Sequence, residues 1–156
     1  MTGNPRPRSR KRGGSRSRGQ ALVEFALVAP IFFLILFATI DFGRYVYYVQ
    51  ILNNAAREGT RYAIVHGDRS LSPVGPTEDD PTVAGIVRNY AIGVIGDSTT
   101  FDVHSSWQQE NPLDPPRNDR GARVTVEVTY AFHSVIPLVP IPPITVKGAS
   151  TLVINT

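Results

Sequence analysis

A chain of 156 residues has room for one domain and little besides. It holds no cysteine, which excludes disulfides, thiolate metal centres and cysteine nucleophiles. Its net charge of +3 averages two unlike parts: seven of the 16 Lys and Arg (Arg6, Arg8, Arg10, Lys11, Arg12, Arg16, Arg18) precede residue 19 with no acid among them, leaving an acidic remainder of net −4. A basic tail on an acidic body reads as a nucleic-acid arm, or as the positive flank that keeps a membrane helix's N-terminus in the cytoplasm. The segment beyond the tail decides between them.

Residues 1–18 are Arg, Ser, Gly and Pro without apolar periodicity, a composition that predicts disorder. Ala21 to Ile40 then reads ALVEFALVAPIFFLILFATI, with Glu24 its one charge. About 20 apolar residues rising ~1.5 Å each match the ~30 Å hydrocarbon layer of a bilayer. A domain this small has little room to bury Phe25, Phe32, Phe33 and Phe37 together with their Ile and Leu neighbours. The run therefore predicts a single membrane span, which assigns the basic tail to the cytoplasmic side and the C-terminal part to the other. It exceeds the ~7–15 apolar residues of a secretory signal, and no small-x-small cleavage pattern follows it. The helix is expected to stay.

Beyond the span, Tyr45, Val49, Leu52, Ala56, Gly59 and Ala63 recur at spacings of four and three, an apolar-to-small stripe on one helical face. Asn53, Asn54, Arg57, Glu58 and Arg61 supply a wet face. One helix from about Gln20 to Val65 would be roughly 70 Å long, over twice what the lipid needs. Its outer half must pack on something, and Ala55, Ala56, Gly59 and Ala63 are small enough to admit a sheet or another helix. Asp41 and Arg44, at i and i+3 just past the span, predict a solvated ion pair.

His66 to Pro81 is polar and turn-rich, a loop. Asp80-Pro81 reads as an N-cap and first helical residue, with Val83, Ile86, Val87, Tyr90, Ala91 and Val94 forming an apolar face that Gly96 closes. Phe101, Val103 and Trp107 mark a short strand, and Asn111 to Arg120 a loop. Arg123 to His133 is the clearest strand: Val124, Val126, Val128, Tyr130 and Phe132 point one way, Arg123, Thr125, Glu127, Thr129 and His133 the other. A last strand covers Ile144 to Ile154, with Gly148 placed for a bend or bulge. Between these strands SVIPLVPIPP holds four prolines in ten residues, which forbids a central strand. Its Ile136, Leu138, Val139 and Ile141 are expected to cap the core of the sheet; an apolar loop touching the membrane or a partner is the other reading. The fold class is thus α+β: a long transmembrane and amphipathic helix plus a short helix, packed on a small, mostly antiparallel sheet. The chain divides into a leader (1–19), a span (20–41), an outer continuation of the helix (42–66) and a small α+β domain (67–156).

At the junction of tail and span stands Arg18-Gly19-Gln20-Ala21-Leu22-Val23-Glu24-Phe25. A basic leader ending in Gly, four uncharged residues, a Glu, an aromatic and then an apolar helix resemble the processing site of type IV prepilins, above all those of tight-adherence (Tad/Flp) systems. GQALVEFALVAPIFFLILFATIDFGR and NNAAREGTRYA extend the likeness to the TadE-like family of pseudopilins over about residues 18–66. The resemblance implies a pilin-like fold and cleavage by a prepilin peptidase between Gly19 and Gln20, so that Glu24 becomes residue five. It also implies that Glu24 pairs with the terminal amine of a neighbouring subunit and sets register, with Phe25 part of the same recognition motif. Gln20 departs from the phenylalanine that often begins major pilins, which leaves N-terminal methylation open; the outer domain exceeds that of a major Flp pilin, which points to a minor pilin or pseudopilin. An intramembrane charge is by default a functional one, since an ionised acid costs up to ~2.5–3.5 kcal/mol at mid-bilayer and less near an end. Pro30 removes one backbone hydrogen bond, to Ala26, and is expected to kink the span, either as an aid to extraction from lipid or as an ordinary tolerated membrane proline.

His66, His104 and His133 stand singly, without zinc-site spacing, and no nucleophile elbow, phosphate loop or dinucleotide fingerprint occurs. No enzyme activity, catalytic residue, metal or cofactor is expected. The expected partners are the peptidase, other pilins or pseudopilins as homo- or hetero-oligomers, and the bilayer, not nucleic acid. The expected location is the inner membrane, with incorporation into a surface pilus as a further step. The competing function is an uncut, single-span anchor for an extracytoplasmic binding module.

Overall fold

The computed structural model describes residues 16–95, 101–111, 113–136 and 141–155. One helix, α1, runs from Arg16 to Val65, 50 residues without interruption at Pro30. It begins four residues before the expected start at Gln20, so Arg16–Arg18 are helical rather than disordered. A single glycine at position 19 costs a helix only ~1 kcal/mol, and Gln20, Ala21 and Leu22 on its far side are good helix formers. The rest of the basic tail, residues 1–15, lies outside the described residues.

A second helix, α2, spans Pro81–Ile95. Its start is the expected one. Asp80 Oδ1 accepts the amides of Thr82 (2.8 Å) and Val83 (3.2 Å), two donors a helix start otherwise leaves unpaired. Its other oxygen accepts the Gly75 amide at 2.9 Å, and its own amide donates to Ser105 Oγ at 2.9 Å. The cap therefore also ties the preceding loop to the sheet. Gly96, expected to close this helix, lies outside the described residues.

Three strands follow: β1 (Phe101–Trp107), β2 (Arg123–Phe132) and β3 (Ile144–Val153). They form one antiparallel sheet in the order β1-β2-β3. The period of two along β2 places Val124, Val126, Val128 and Phe132 in the core, joined by Phe101, Val103 and Trp107 from β1 and Val146 from β3. Leu52, Ala55, Ala56 and Ala63 of α1 cover this face with no exposure, and Val83, Val87 and Ala91 of α2 close its side. The arrangement is α+β, with the outer half of a long helix and one short helix on a three-stranded antiparallel sheet.

Two expectations about the sheet change. Gly148 makes no bulge: the β2–β3 register is unbroken from Arg123↔Val153 to Phe132↔Ile144, with Val128 opposite Gly148. A Cβ at Gly148 would stand 2.5 Å from Asn53 N, so the glycine is there to let the backbone of α1 rest on the strand. Gly59 makes room for α2 instead, where a Cβ would meet Val87 Cγ2 at 2.5 Å. The described residues of the proline segment, secondly, do not cap the core as expected. Val135 and Ile141 are exposed and Ile136 half-buried, while Pro137–Pro140, including Leu138 and Val139, lie outside the described residues. The core is already closed at that end by aromatic rings: Phe132 meets Tyr45 at 5.9 Å and Tyr48 at 5.7 Å, and Tyr48 meets Tyr130 at 5.2 Å. His133 falls just past the end of β2 and is exposed.

Candidate functional site

The residues singled out at the helix N-terminus all lie on one continuous helical rod. Gly19 is part of α1, with open space where a Cβ would stand. Gln20 and Glu24 are four residues apart, which puts their Cβ atoms on the same face about 5–6 Å from each other. Glu24 and Phe25 are both exposed, Phe25 at 68%. Side chains on a helix lean toward its N-terminus, so the Glu24 carboxylate leans back toward the Gly19–Gln20 bond. No acid lies in the first turn of α1 as it stands, with its start at Arg16. A helix restarted at Gln20 would hold Glu24 near its first turn, where unpaired amides and the positive dipole end favour a carboxylate by about 0.3–1 kcal/mol.

Glu24 sits at the foot of a large uncovered surface. Leu22, Val23, Leu27, Val28, Ile31, Phe32, Phe33, Leu34 and Ile35 are each exposed, and none of the most apolar window is buried against the rest of the chain. This helix is long and apolar enough to cross a membrane, and among the described residues nothing buries its most apolar window. A core helix would show the opposite.

Where the span ends, the structure corrects the reading of Asp41. Its carboxylate is buried rather than solvated. It accepts hydrogen bonds from Arg44 (2.8 Å), from Ser134 Oγ (2.5 Å) and from the Val135 amide (2.8 Å). Arg44 in turn lies over the rings of Phe132 (5.2 Å) and Tyr48 (5.9 Å). Asp41 thus clasps the chain leaving β2 onto the helix where its apolar run ends. No local pattern announces this link, because its two ends are 93 residues apart. Arg57, Glu58 and Arg61 do form the expected wet face, with Arg61 and Glu58 3.8 Å apart.

The histidines remain apart. His66 Nδ1 lies 2.8 Å from the Tyr62 carbonyl, and the exposed His104 is bracketed by Asp79 (3.1 Å) and Asp102 (3.0 Å). The Asp79 hydrogen bond, with the charges of Asp102 and Asp79, raises the His104 pKa above its ordinary 6.5. Among the described residues no group of three or more His, Asp or Glu is placed to hold a metal ion.

Comparison with known proteins bears on the helix alone. No curated protein and no solved structure matches the chain. The model of one family, TadE-like protein, matches residues 19–61, beginning at the glycine of the junction and ending inside the part of α1 that packs on the sheet. A TadE-like segment on an exposed, apolar N-terminal helix fits a component of a Tad pilus, and the likeness to that family covers residues 19–61, under a third of the chain.

Proposed function

We propose that the chain is a pseudopilin or minor pilin, a structural and non-enzymatic component of a Tad-type pilus or related secretion apparatus. It is inserted in the inner membrane with its basic tail in the cytoplasm and its α+β domain outside. A prepilin peptidase cuts between Gly19 and Gln20. The new amine and the Glu24 carboxylate of neighbouring chains then pair, so that copies or relatives assemble side by side, with Phe25 packing beside the contact. The observation that carries this reading is a single carboxylate, one turn above Gln20, at the base of an apolar helical stretch that no described part of the chain covers. The cut removes every leader cation and leaves one ammonium at the lipid edge. That ammonium offsets the cost of an ionised acid in the apolar segment.

The competing reading, an uncut anchor for an extracytoplasmic binding module, draws on one feature of the helix. α1 continues unbroken from Arg16 through the Gly19–Gln20 bond, so a peptidase must first open a helical turn there. Gly19 lowers the cost of that opening, being among the weakest helix formers.

N-terminal sequencing of the protein from native membranes separates the two. The expected mature chain begins at Gln20; an intact tail in cells with active leader peptidase overturns the proposal. Gly19→Phe is expected to block the cut, and an unchanged mature terminus would remove glycine's role. Glu24→Ala is expected to insert normally but to lose co-purification with other pilins, and unchanged association would remove the pairing.

A further inference from the structure

The end of the sheet nearest the span carries an apolar surface that neither the core nor the pilin reading uses. A groove of about 210 Å³ opens there between Phe42 and Tyr45 of α1, Ile136 after β2, and Ile141 and Ile144 at the start of β3. Phe42, Val135, Ile141 and Ile144 are exposed around it, Phe42 at 68% and Val135 at 59%. We infer that this surface is a foot that rests in the interfacial layer of the same bilayer the helix crosses, giving the outer domain a second point of attachment beside its span.

Three observations select lipid as the occupant. The first is continuity. Phe42 follows within two residues of the apolar run ending at Ile40, and the Asp41 clasp holds Ser134 and Val135 at that same level of the helix. An apolar surface that begins where the span stops already meets the membrane boundary. The second is charge. The one carboxylate in the groove wall, Asp41, is turned inward and satisfied by three donors, so the foot presents no bare acid to the lipid. The third is the ring of amphipathic side chains around it. Tyr45, Tyr47 and Tyr48, with Arg44 lying over Phe132 and Tyr48, fall within four residues of the Arg44 level. Tyrosine and a snorkelling arginine are the residues that favour the headgroup layer. Two attachments fix the tilt of the domain on the membrane, and release of the foot becomes part of leaving the bilayer for a filament.

The inference rests on residues 21–40 crossing the bilayer, and its test separates the two claims. The chain has no cysteine, so single cysteines can be introduced at Leu34, Val135, Ile141 and Leu113 and spin-labelled. Leu113 lies in the loop between β1 and β2, which enters β2 at Arg123, about 30 Å along the strand from Phe132. Each full-length variant is placed at one copy per nanodisc of phosphatidylethanolamine and phosphatidylglycerol. Collision with oxygen, which concentrates in lipid, is compared with collision with a water-soluble nickel chelate.

Leu34 is expected to read as deep hydrocarbon and Leu113 as water. Val135 and Ile141 should read as interfacial, roughly 5–10 Å below the headgroup boundary. Aqueous readings at Val135 and Ile141 with Leu34 still deep overturn the foot, leave the span standing and assign the groove to a protein partner. An aqueous reading at Leu34 overturns both.

Discussion

Residues 21–40 and residues 51–63 belong to one helix and obey one backbone geometry, yet their surroundings are opposite. In the first stretch Phe, Leu and Ile stand exposed; in the second, Leu52, Ala55, Ala56, Thr60 and Ala63 have no exposure at all. The difference lies in size as much as in polarity. Lipid chains would accommodate any large apolar side chain, which fits the crowd of them in the first stretch. The sheet is rigid and must approach closely, so the outer half offers Ala and Gly, with one Leu to fill the gap. Two glycines complete the fit, Gly148 of β3 against the helix backbone and Gly59 of the helix against Val87 of α2. The contrast teaches where the helix changes partner: around Asp41, the first buried residue of the rod.

The largest effect that would break this contrast is expected from Gly148→Val. Its Cβ would stand 2.5 Å from Asn53 N, and backbone cannot yield as a side-chain tip can. A loss of about 4 kcal/mol is expected, enough to undock the sheet from the helix. Urea unfolding of the outer domain in detergent checks it, and a midpoint within error of wild type would mean the contact is looser than described. Next comes the pair Leu52→Ala and Leu34→Ala. The first empties a fully buried site and should cost roughly 2–5 kcal/mol. The second lies in the unburied apolar window, away from the outer domain, and should leave the same midpoint unmoved. Equal effects would erase the distinction between the two halves.

The ease with which the sequence reveals each half follows from the same physics. The span is legible because lipid imposes length and polarity on consecutive residues, and the stripe from Tyr45 to Ala63 because a helix face repeats. The alternation along β2 and the Asp80 cap are equally local signals. Gly148 is visible as an exception, but the sequence does not say whether a bulge or a neighbouring backbone requires it; only the position of Leu52 and Asn53 decides. The clasp of Asp41 by Ser134 and Val135 is invisible, because Asp41 and Arg44 satisfy a local rule that hides the distant partners. Of the candidate site, Gly19, Glu24 and Phe25 are legible as a motif, whereas the helical backbone through the Gly19–Gln20 bond is not.

Asp41→Ala tests the change of partner itself. It leaves Ser134 Oγ and the Val135 amide without their acceptor and should cost about 2 kcal/mol. The Val135 amide is expected to exchange with deuterium much faster, while amides of β2 near Val126 keep their protection; unchanged exchange at Val135 would remove the clasp. Asp80→Ala should cost about 1 kcal/mol, the usual loss of a helix cap. Burial pushes the Asp80 pKa up, but the amides of Gly75, Val83 and Thr82 outweigh it and hold it below the ordinary 3.8. A lowered folded-state value means stability present above pH 3.8 and lost as pH falls through that lower value. Acid unfolding of wild type should therefore steepen as pH falls from 3.8 to that lower value, and the variant should lack this component. His104 has the opposite sign: its raised pKa contributes below pH 6.5 and is lost as pH rises through the folded value.

The smallest effect is expected on the wet face of the outer helix, and its smallness makes it informative. Arg61 and Glu58 are 3.8 Å apart, with side chains 75% and 44% exposed, so water screens the pair. Arg61→Ala should change the unfolding free energy by no more than about 0.5 kcal/mol. A variant that folds as wild type and still co-purifies with other pilins assigns this face to solvent. One that folds as wild type yet loses them assigns it to a partner, because the fold gives Arg61 nothing else to do. The outer half of the helix would then carry two protein interfaces, the sheet on its small-residue side and a neighbouring chain on its charged side, and the change of partner at Asp41 would separate lipid from protein on both.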